Sequence, residues 1–172
     1  MSKSNIKSVQ RRRNRGFTLV ELLVTVVVAG IFAVLALPSM ASFIAGQRVK
    51  TAAFDMNAGL TRSRSEAIER NTNVILTPAT GGWQNGWTVA AGAVNISKQD
   101  AFTGLTVDCW VGGVSNACPA NINYAGSGRL DSSSPSPFPS FRIFNAANTT
   151  VTSRRCISID LSGRANSKQG NC

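Results

Sequence analysis

Residues 11–37 read RRRNRGFTLVELLVTVVVAGIFAVLAL, and this stretch decides how the whole chain is interpreted. The 21 residues from Phe17 to Leu37 are largely apolar, and Glu21 is their one ionisable side chain. About 20 apolar residues in a helix, at ~1.5 Å rise each, cross the ~30 Å hydrocarbon core of a bilayer. The sequence therefore predicts a transmembrane helix over residues 17–37.

The segment before this run is strongly basic. It contains no acid and six cations: Lys3, Lys7, Arg11, Arg12, Arg13 and Arg15. Because Lys and Arg accumulate on the cytoplasmic side, we expect residues 1–16 in the cytoplasm and the C-terminal bulk across the membrane. A bacterial inner membrane and periplasm fit this arrangement. The alternative is a secretory signal that is cleaved at the small residues near Ala36.

An acid inside an apolar run needs an explanation. On insertion scales a carboxylate at the bilayer midplane costs roughly 2.5–3.5 kcal/mol, less near a helix end, and it normally has a partner. The order of basic leader, Gly16, Phe17, Glu21 and apolar helix resembles the class III signal of type IV pilins and type II secretion pseudopilins. In that family a prepilin peptidase cuts after the glycine and the new N-terminal residue is N-methylated. The resemblance implies cleavage between Gly16 and Phe17, methylation of Phe17, and docking of Glu21 to a neighbouring subunit.

The helix is expected to continue as an amphipathic segment over residues 38–71. Apolar positions recur there near a 3.6-residue period, and charged positions fall on the opposite side. The apolar set consists of Val49, Ala53, Met56, Leu60 and Ala67. Asn71-Thr72-Asn73 resembles a stop signal, so the helix should end near Asn71.

Residues 72–172 have the pattern of a β domain, because short β-rich runs alternate with glycine and asparagine. We predict six strands: Val74–Thr77, Trp87–Ala90, Leu105–Val107, Ile122–Tyr124, Phe141–Phe144 and Cys156–Asp160. Residues 131–140 hold three prolines and five serines and should form an exposed loop. The predicted fold class is α+β and, by the resemblance, pilin-like: a long N-terminal helix packs on a C-terminal antiparallel β-sheet or β-sandwich.

Two stretches of the β domain narrow the resemblance. Residues 82–89 (GWQNGWTV) and 155–164 (RCISIDLSGR) are similar to the GspH/FimT family, minor components of secretion pseudopili and type IV pili. We interpret Trp83 and Trp87 as a core pair, since indole rings bury large areas and their N–H finds a carbonyl. A platform that stacks on bases or sugars would require exposed rings.

The four cysteines in a domain assigned to the periplasm are typical of disulfides. Four cysteines allow three connectivities. We favour local pairing, Cys109–Cys118 and Cys156–Cys172. A metal site is the alternative, but the chain has no histidine and no CxxC pair. Without histidine or a catalytic motif among the acids, we expect neither enzymatic activity nor a cofactor.

The formal net charge of the chain falls from +10 to +4 when the leader is removed, because the leader contains six cations. The remaining cations gather late, and Arg154, Arg155, Arg164 and Lys168 are candidates for DNA contacts. Some FimT-type minor pilins bind DNA through a Gly-Arg-x-Arg pattern. Gly163-Arg164-Ala165-Asn166 keeps only the first arginine, and Lys168 is a partial substitute.

These patterns predict a minor pilin or pseudopilin, a structural subunit of a type IV pilus or of a type II secretion pseudopilus. Its implied partners are the prepilin peptidase, other pilins or pseudopilins, the inner-membrane assembly machinery and the membrane. Its location would be the inner membrane, as a single-pass protein, and then the filament. Two alternatives remain open: a DNA-binding minor pilin of natural transformation, and an uncut single-pass anchor that carries a β domain.

Overall fold

The computed structural model describes residues 16–132, 134, 136–147 and 153–172, with the side chains of residues 35–39 left out of the description. The predicted leader, residues 1–16, lies outside this range except for Gly16. The chain divides into two compact units between Met40 and Ala41.

Helix α1 (Leu19–Arg70) supplies the regular structure of the first unit and the opening element of the second. No helix in the described part of the chain is both long and apolar enough to cross a bilayer.

The end of α1 confirms the predicted stop near Asn71. Asn71 adopts the left-handed conformation, with φ of 47°. The Asn71 N–H donates to the Ile68 carbonyl and the Thr72 N–H donates to the Ala67 carbonyl, each at 3.2 Å. This pair of bonds is a Schellman motif, in which an asparagine ends the helix and satisfies its last carbonyls.

The amphipathic face predicted for the second part of α1 is confirmed. Val49, Ala53, Met56, Leu60 and Ala67 are all buried in the core of the second unit. Ser63 is buried in the same face, where its hydroxyl donates to the Gly59 carbonyl at 2.7 Å. This bond satisfies the one polar side chain on a face that otherwise packs through apolar contacts.

The second unit contains nine strands in the described residues, and all of their pairings are antiparallel. A four-stranded sheet contains β1 (Val74–Pro78), β2 (Trp87–Ala91), β3 (Val94–Gln99) and β6 (Ile122–Tyr124), in the order β3-β2-β1-β6. A five-stranded sheet contains β4 (Thr106–Val111), β5 (Val114–Asn116), β7 (Ser140–Phe144), β8 (Arg155–Ile159) and β9 (Ala165–Gln169), in the order β5-β4-β7-β8-β9. A short 3₁₀ helix, Trp83–Asn85, precedes β2.

The six predicted strands are all present, although the third begins one residue later and extends to Val111. The sequence missed β3, β5 and β9. Each of these is an edge strand of mostly polar composition, so the alternation that identifies a half-buried strand is weak in them.

The core of the second unit lies between the helix face and the two sheets. Trp83 and Trp87 are 2% and 3% exposed, which confirms them as core residues. The Trp83 Nε1–H donates to the Pro119 carbonyl at 3.0 Å. Gly59 lets the helix approach Trp87, because a Cβ at this glycine would lie 3.0 Å from the Trp87 Nε1.

Two disulfides close local loops of the β domain, and they are the pairings that the sequence favours. Cys109 of β4 is bonded to Cys118, with their Cα atoms 5.0 Å apart. Cys156 of β8 is bonded to Cys172, with their Cα atoms 5.2 Å apart. The second bond fixes the C-terminal residues to the sheet.

Candidate functional site

The start of α1 carries the residues that the sequence assigns to processing. Gly16, Phe17 and Thr18 precede the helix, and all three are exposed. The Thr18 Oγ1 accepts a hydrogen bond from the Glu21 N–H at 3.2 Å, so Thr18 is the N-cap of the helix. The Gly16–Phe17 bond therefore lies in accessible, non-helical backbone just before a capped helix.

Glu21 occupies the first turn of α1. A carboxylate at this position is favoured by the partial positive charge of the helix N-terminus. Its side chain is exposed and, among the residues that the structure describes, no cation pairs with it. The carboxylate is thus open to an intermolecular partner.

The described side chains of the first unit are apolar on every side of the helix. Phe17, Leu19 and Phe32 are 76%, 78% and 67% exposed, and their neighbours are similar. The other large exposed apolar residues are Val20, Leu22, Leu23, Val24, Val26, Val27, Val28, Ile31, Val34 and Met40. A helix that is hydrophobic all round is normally buried, either in a membrane or among other helices.

The hairpin formed by β8 and β9 carries the basic residues of the C-terminal region. Its turn is held by Asp160, whose Oδ1 accepts hydrogen bonds from the Ser162 hydroxyl at 2.6 Å and from the Arg164 N–H at 3.0 Å. These two bonds, the hydroxyl first, lower the pKa of Asp160. The turn therefore keeps a carboxylate beside Arg164.

Gly163 in this turn has a packing role. Its φ is +79°, and a Cβ built on it would lie 2.3 Å from the Gly128 carbonyl oxygen. The Arg64 Nε–H donates to the same carbonyl at 2.9 Å. The glycine of the Gly-Arg pattern is therefore explained by close contact with the loop that follows β6, independently of any ligand.

The structure separates the four basic residues that the sequence groups together. Arg164 and Lys168 are an even number of residues apart, so their side chains lie on the same face of the sheet. This face is opposite the one that carries the buried Ile157 and Ile159. Arg155 is in register with Gln169 and lies on the other face of the sheet. The Arg154 Nη1–H donates to the Asn171 Oδ1 at 3.0 Å. Arg164 and Lys168 thus share one face, about 13 Å apart along the strand, and Arg155 lies on the other.

Two features of the structure escaped the sequence prediction. The first is the Thr18 cap, which has a local signal in the Thr-x-x-Glu pattern of a capping box. The second is a cluster on the outer face of the five-stranded sheet, where Arg142 pairs with Asp108 beside Trp110. No local sequence pattern predicts this cluster, because its members come together only through the register of β4 and β7.

Comparisons with known proteins agree with these observations. Residues 11–37 match the prokaryotic N-terminal methylation motif, and residues 52–163 match the family described as type II transport protein GspH. A search of curated proteins gave no match.

Among solved structures, the chain is similar to the type IV minor pilin FimU of Pseudomonas aeruginosa in two crystal forms. One match has a TM-score of 0.55 and 24% identity, and it covers 71% of this chain and 89% of the other. The second has a TM-score of 0.53 and 25% identity, and it covers 69% of this chain and 91% of the other. Both share the architecture of a long N-terminal helix packed on antiparallel sheets.

Proposed function

The chain belongs to the type II transport protein GspH family and carries the prokaryotic N-terminal methylation motif, and from this we propose that it is assembled as a minor subunit of a type IV pilus or of a type II secretion pseudopilus. Proteins of this family are structural rather than enzymatic. The proposal therefore assigns the chain an assembly role, with no reaction of its own.

The first step of the proposed pathway is processing. A prepilin peptidase hydrolyses the bond between Gly16 and Phe17, and the new amine of Phe17 is methylated. The methylation motif supports this step. The position of the bond in exposed backbone before the Thr18 cap also supports it, because a peptidase needs extended, accessible chain.

The observation that carries the assembly role is the helix surface that is apolar all round in the first unit. Before assembly, we propose that residues 17–37 hold the chain in the inner membrane, with the β domain in the periplasm. An oxidising periplasm is consistent with the two disulfides. After cleavage, the same surface packs among the helices of neighbouring subunits, and Glu21 pairs with the amine of a neighbour.

The test is intact-mass and N-terminal analysis of the chain expressed in membranes with and without a prepilin peptidase. We expect a peptidase-dependent chain that begins at methylated Phe17. Gly16→Asp should abolish the conversion, whereas Asn14→Asp, which adds the same charge two residues upstream, should preserve it. A chain that still begins at Met1 with the peptidase present, or one cut near Ala36, would overturn the proposal.

The DNA-binding alternative receives less support from the site. Gly163 is accounted for by packing, the second arginine of the pattern is Asn166, and the carboxylate of Asp160 lies beside Arg164. Arg155 does not share a face with Arg164 and Lys168. A DNA role would therefore depend on cations that are separated along the hairpin of β8 and β9.

A further inference from the structure

The two sheets of the second unit have four edge strands, and three of them are short or protected. Strand β3 carries a bulge at Ile96, which twists an edge away from a potential partner. Strand β6 is covered by its own loop, since the Asp131 N–H donates to the Asn123 carbonyl and Leu130 bridges to Tyr124. Strand β5 has only three residues. The fourth edge, β9, has none of these features.

Strand β9 is regular over five residues, and its register with β8 has no shift. Asn166, Ser167, Lys168 and Gln169 are all exposed. The C-terminal residues turn back over β8, where Cys172 is bonded to Cys156, so they do not continue along the edge. In the part of the chain that the structure describes, no strand follows β9 in the sheet.

The hydrogen bonds at the two ends of the β8–β9 ladder show which backbone N–H and C=O groups of β9 point away from β8. The Asp160 N–H donates to the Arg164 carbonyl at 3.0 Å, and the Gly170 N–H donates to the Arg154 carbonyl at 2.9 Å. Hydrogen-bonded pairs alternate in an antiparallel ladder, so the intervening even-numbered residues also bond to β8. The N–H and C=O groups of Ala165 and Ser167 therefore point away from the sheet, as a template for another strand.

The charges around this edge specify the partner. Residues 154–172 contain four basic side chains and one acid. Lys168 is the fourth of the five residues of β9, and a second copy of the same edge would bring like charges together. An extended segment rich in Asp or Glu meets the opposite charge.

We propose that β9 is an assembly edge, on which an extended acidic segment of a different pilin subunit adds as a sixth strand. This inference rests on the proposed function and goes beyond it, because it assigns a second subunit contact to the β domain. Backbone hydrogen bonds supply the affinity in this mode of recognition, and the charge of Lys168 selects the partner.

The first test is amide hydrogen exchange of the wild-type full chain, compared between purified filaments and the processed chain in detergent. We expect exchange of the outward Ala165 and Ser167 amides to slow by about tenfold or more in the filament. Residues 114–116 of β5 are the internal reference and should change little. Unprotected β9 amides in filaments that contain the chain would overturn the inference and leave the proposed function intact. A chain absent from filaments would overturn both.

The second test compares Ser167→Pro with Ser167→Ala. Proline removes one outward N–H and leaves the β8 ladder bonded, so incorporation into filaments should fall by about tenfold, whereas alanine should incorporate like the wild type. Lys168→Glu should also lower incorporation. An intact Cys156–Cys172 bond and an unchanged melting temperature establish that each variant is folded.

Equal incorporation of Ser167→Pro and Ser167→Ala would overturn the inference. A second pair of results would also overturn it. In that case the double change Arg164→Ala and Lys168→Ala abolishes retention of a duplex DNA probe, and Ser167→Pro has no effect on assembly. That outcome would assign the same face to phosphate contacts, which do not depend on an outward N–H.

Discussion

Arg142 and Asp108 face each other across strands β7 and β4, and the Arg142 Nε–H donates to the Asp108 Oδ1 at 2.9 Å. A second bond from the Arg142 Nη2 to the Asp108 Oδ2 makes the pair bidentate. The guanidinium carbon lies 4.2 Å from the Trp110 ring centroid and 5.1 Å from that of Phe144. The two charged side chains are only 15% and 28% exposed, so the pair is part of the packed outer face of the sheet.

We expect Arg142→Lys to lower the free energy of unfolding by about 1–2 kcal/mol, because lysine keeps the charge but loses the planar fork and the stacking. The control is Arg62→Lys, where the wild-type contact with Glu66 is 4.0 Å long and Arg62 is 57% exposed. That change should cost less than about 0.5 kcal/mol. Chemical denaturation of the processed chain in detergent measures both, and equal costs would contradict the structural role of the cluster.

The first turn of α1 gives a second prediction, which concerns assembly. Glu21→Ala should leave cleavage at Gly16 unchanged and lower the amount of chain in sheared filaments, because the subunit amine loses its partner. Normal incorporation of Glu21→Ala would contradict the docking role.

Thr18→Val removes the cap oxygen and should weaken the first turn by about 1 kcal/mol, whereas Thr18→Ser keeps the oxygen.

Features with a strong local signal were predictable from the sequence. The face from Val49 to Ala67 follows a 3.6-residue period, and the buried strands alternate, so a single pattern identifies each. The pairing of Cys109 with Cys118 follows from short spacing. Glu21 is conspicuous because it is the one acid of an apolar run.

The remaining features depend on contacts between residues that are distant in the sequence. Arg142 reaches Asp108 only through the β4–β7 register. Gly163 looks like part of a basic motif until the Gly128 carbonyl is placed against it. Strand β9 has the polar composition of a loop, and its pairing with β8 alone makes it a strand. Each of these features is determined by strand pairing or tertiary contacts rather than by local propensity.

The third prediction concerns the single tyrosine of the chain, Tyr124 of β6. Its side chain is fully buried, and its hydroxyl has no hydrogen-bond partner among the described residues. Burial raises the pKa of Tyr124 above the ordinary value of 10.0, since the interior disfavours the phenolate. A raised folded-state pKa means that the unfolded chain loses this proton first as the pH rises.

The sign of the pH effect follows from this order of deprotonation. Below pH 10 the unfolded and folded states both hold the proton, and above pH 10 the stability of the wild type should fall by up to about 1.4 kcal/mol per pH unit. Tyr124→Phe removes this term, so its unfolding free energy should exceed that of the wild type by a growing margin above pH 10. At pH 7 the variant should be neutral or more stable by about 1 kcal/mol, because an unpaired buried hydroxyl is lost.

The measurement is a paired denaturation series from neutral to alkaline pH, with tyrosinate absorbance recorded on the folded wild type. Lysine titration contributes equally to both chains, so the difference between them isolates Tyr124. Because the chain has one tyrosine, the absorbance change is assigned without further variants. Titration of the folded protein near pH 10 would show that the phenol reaches water, and the predicted divergence from Tyr124→Phe would then be absent.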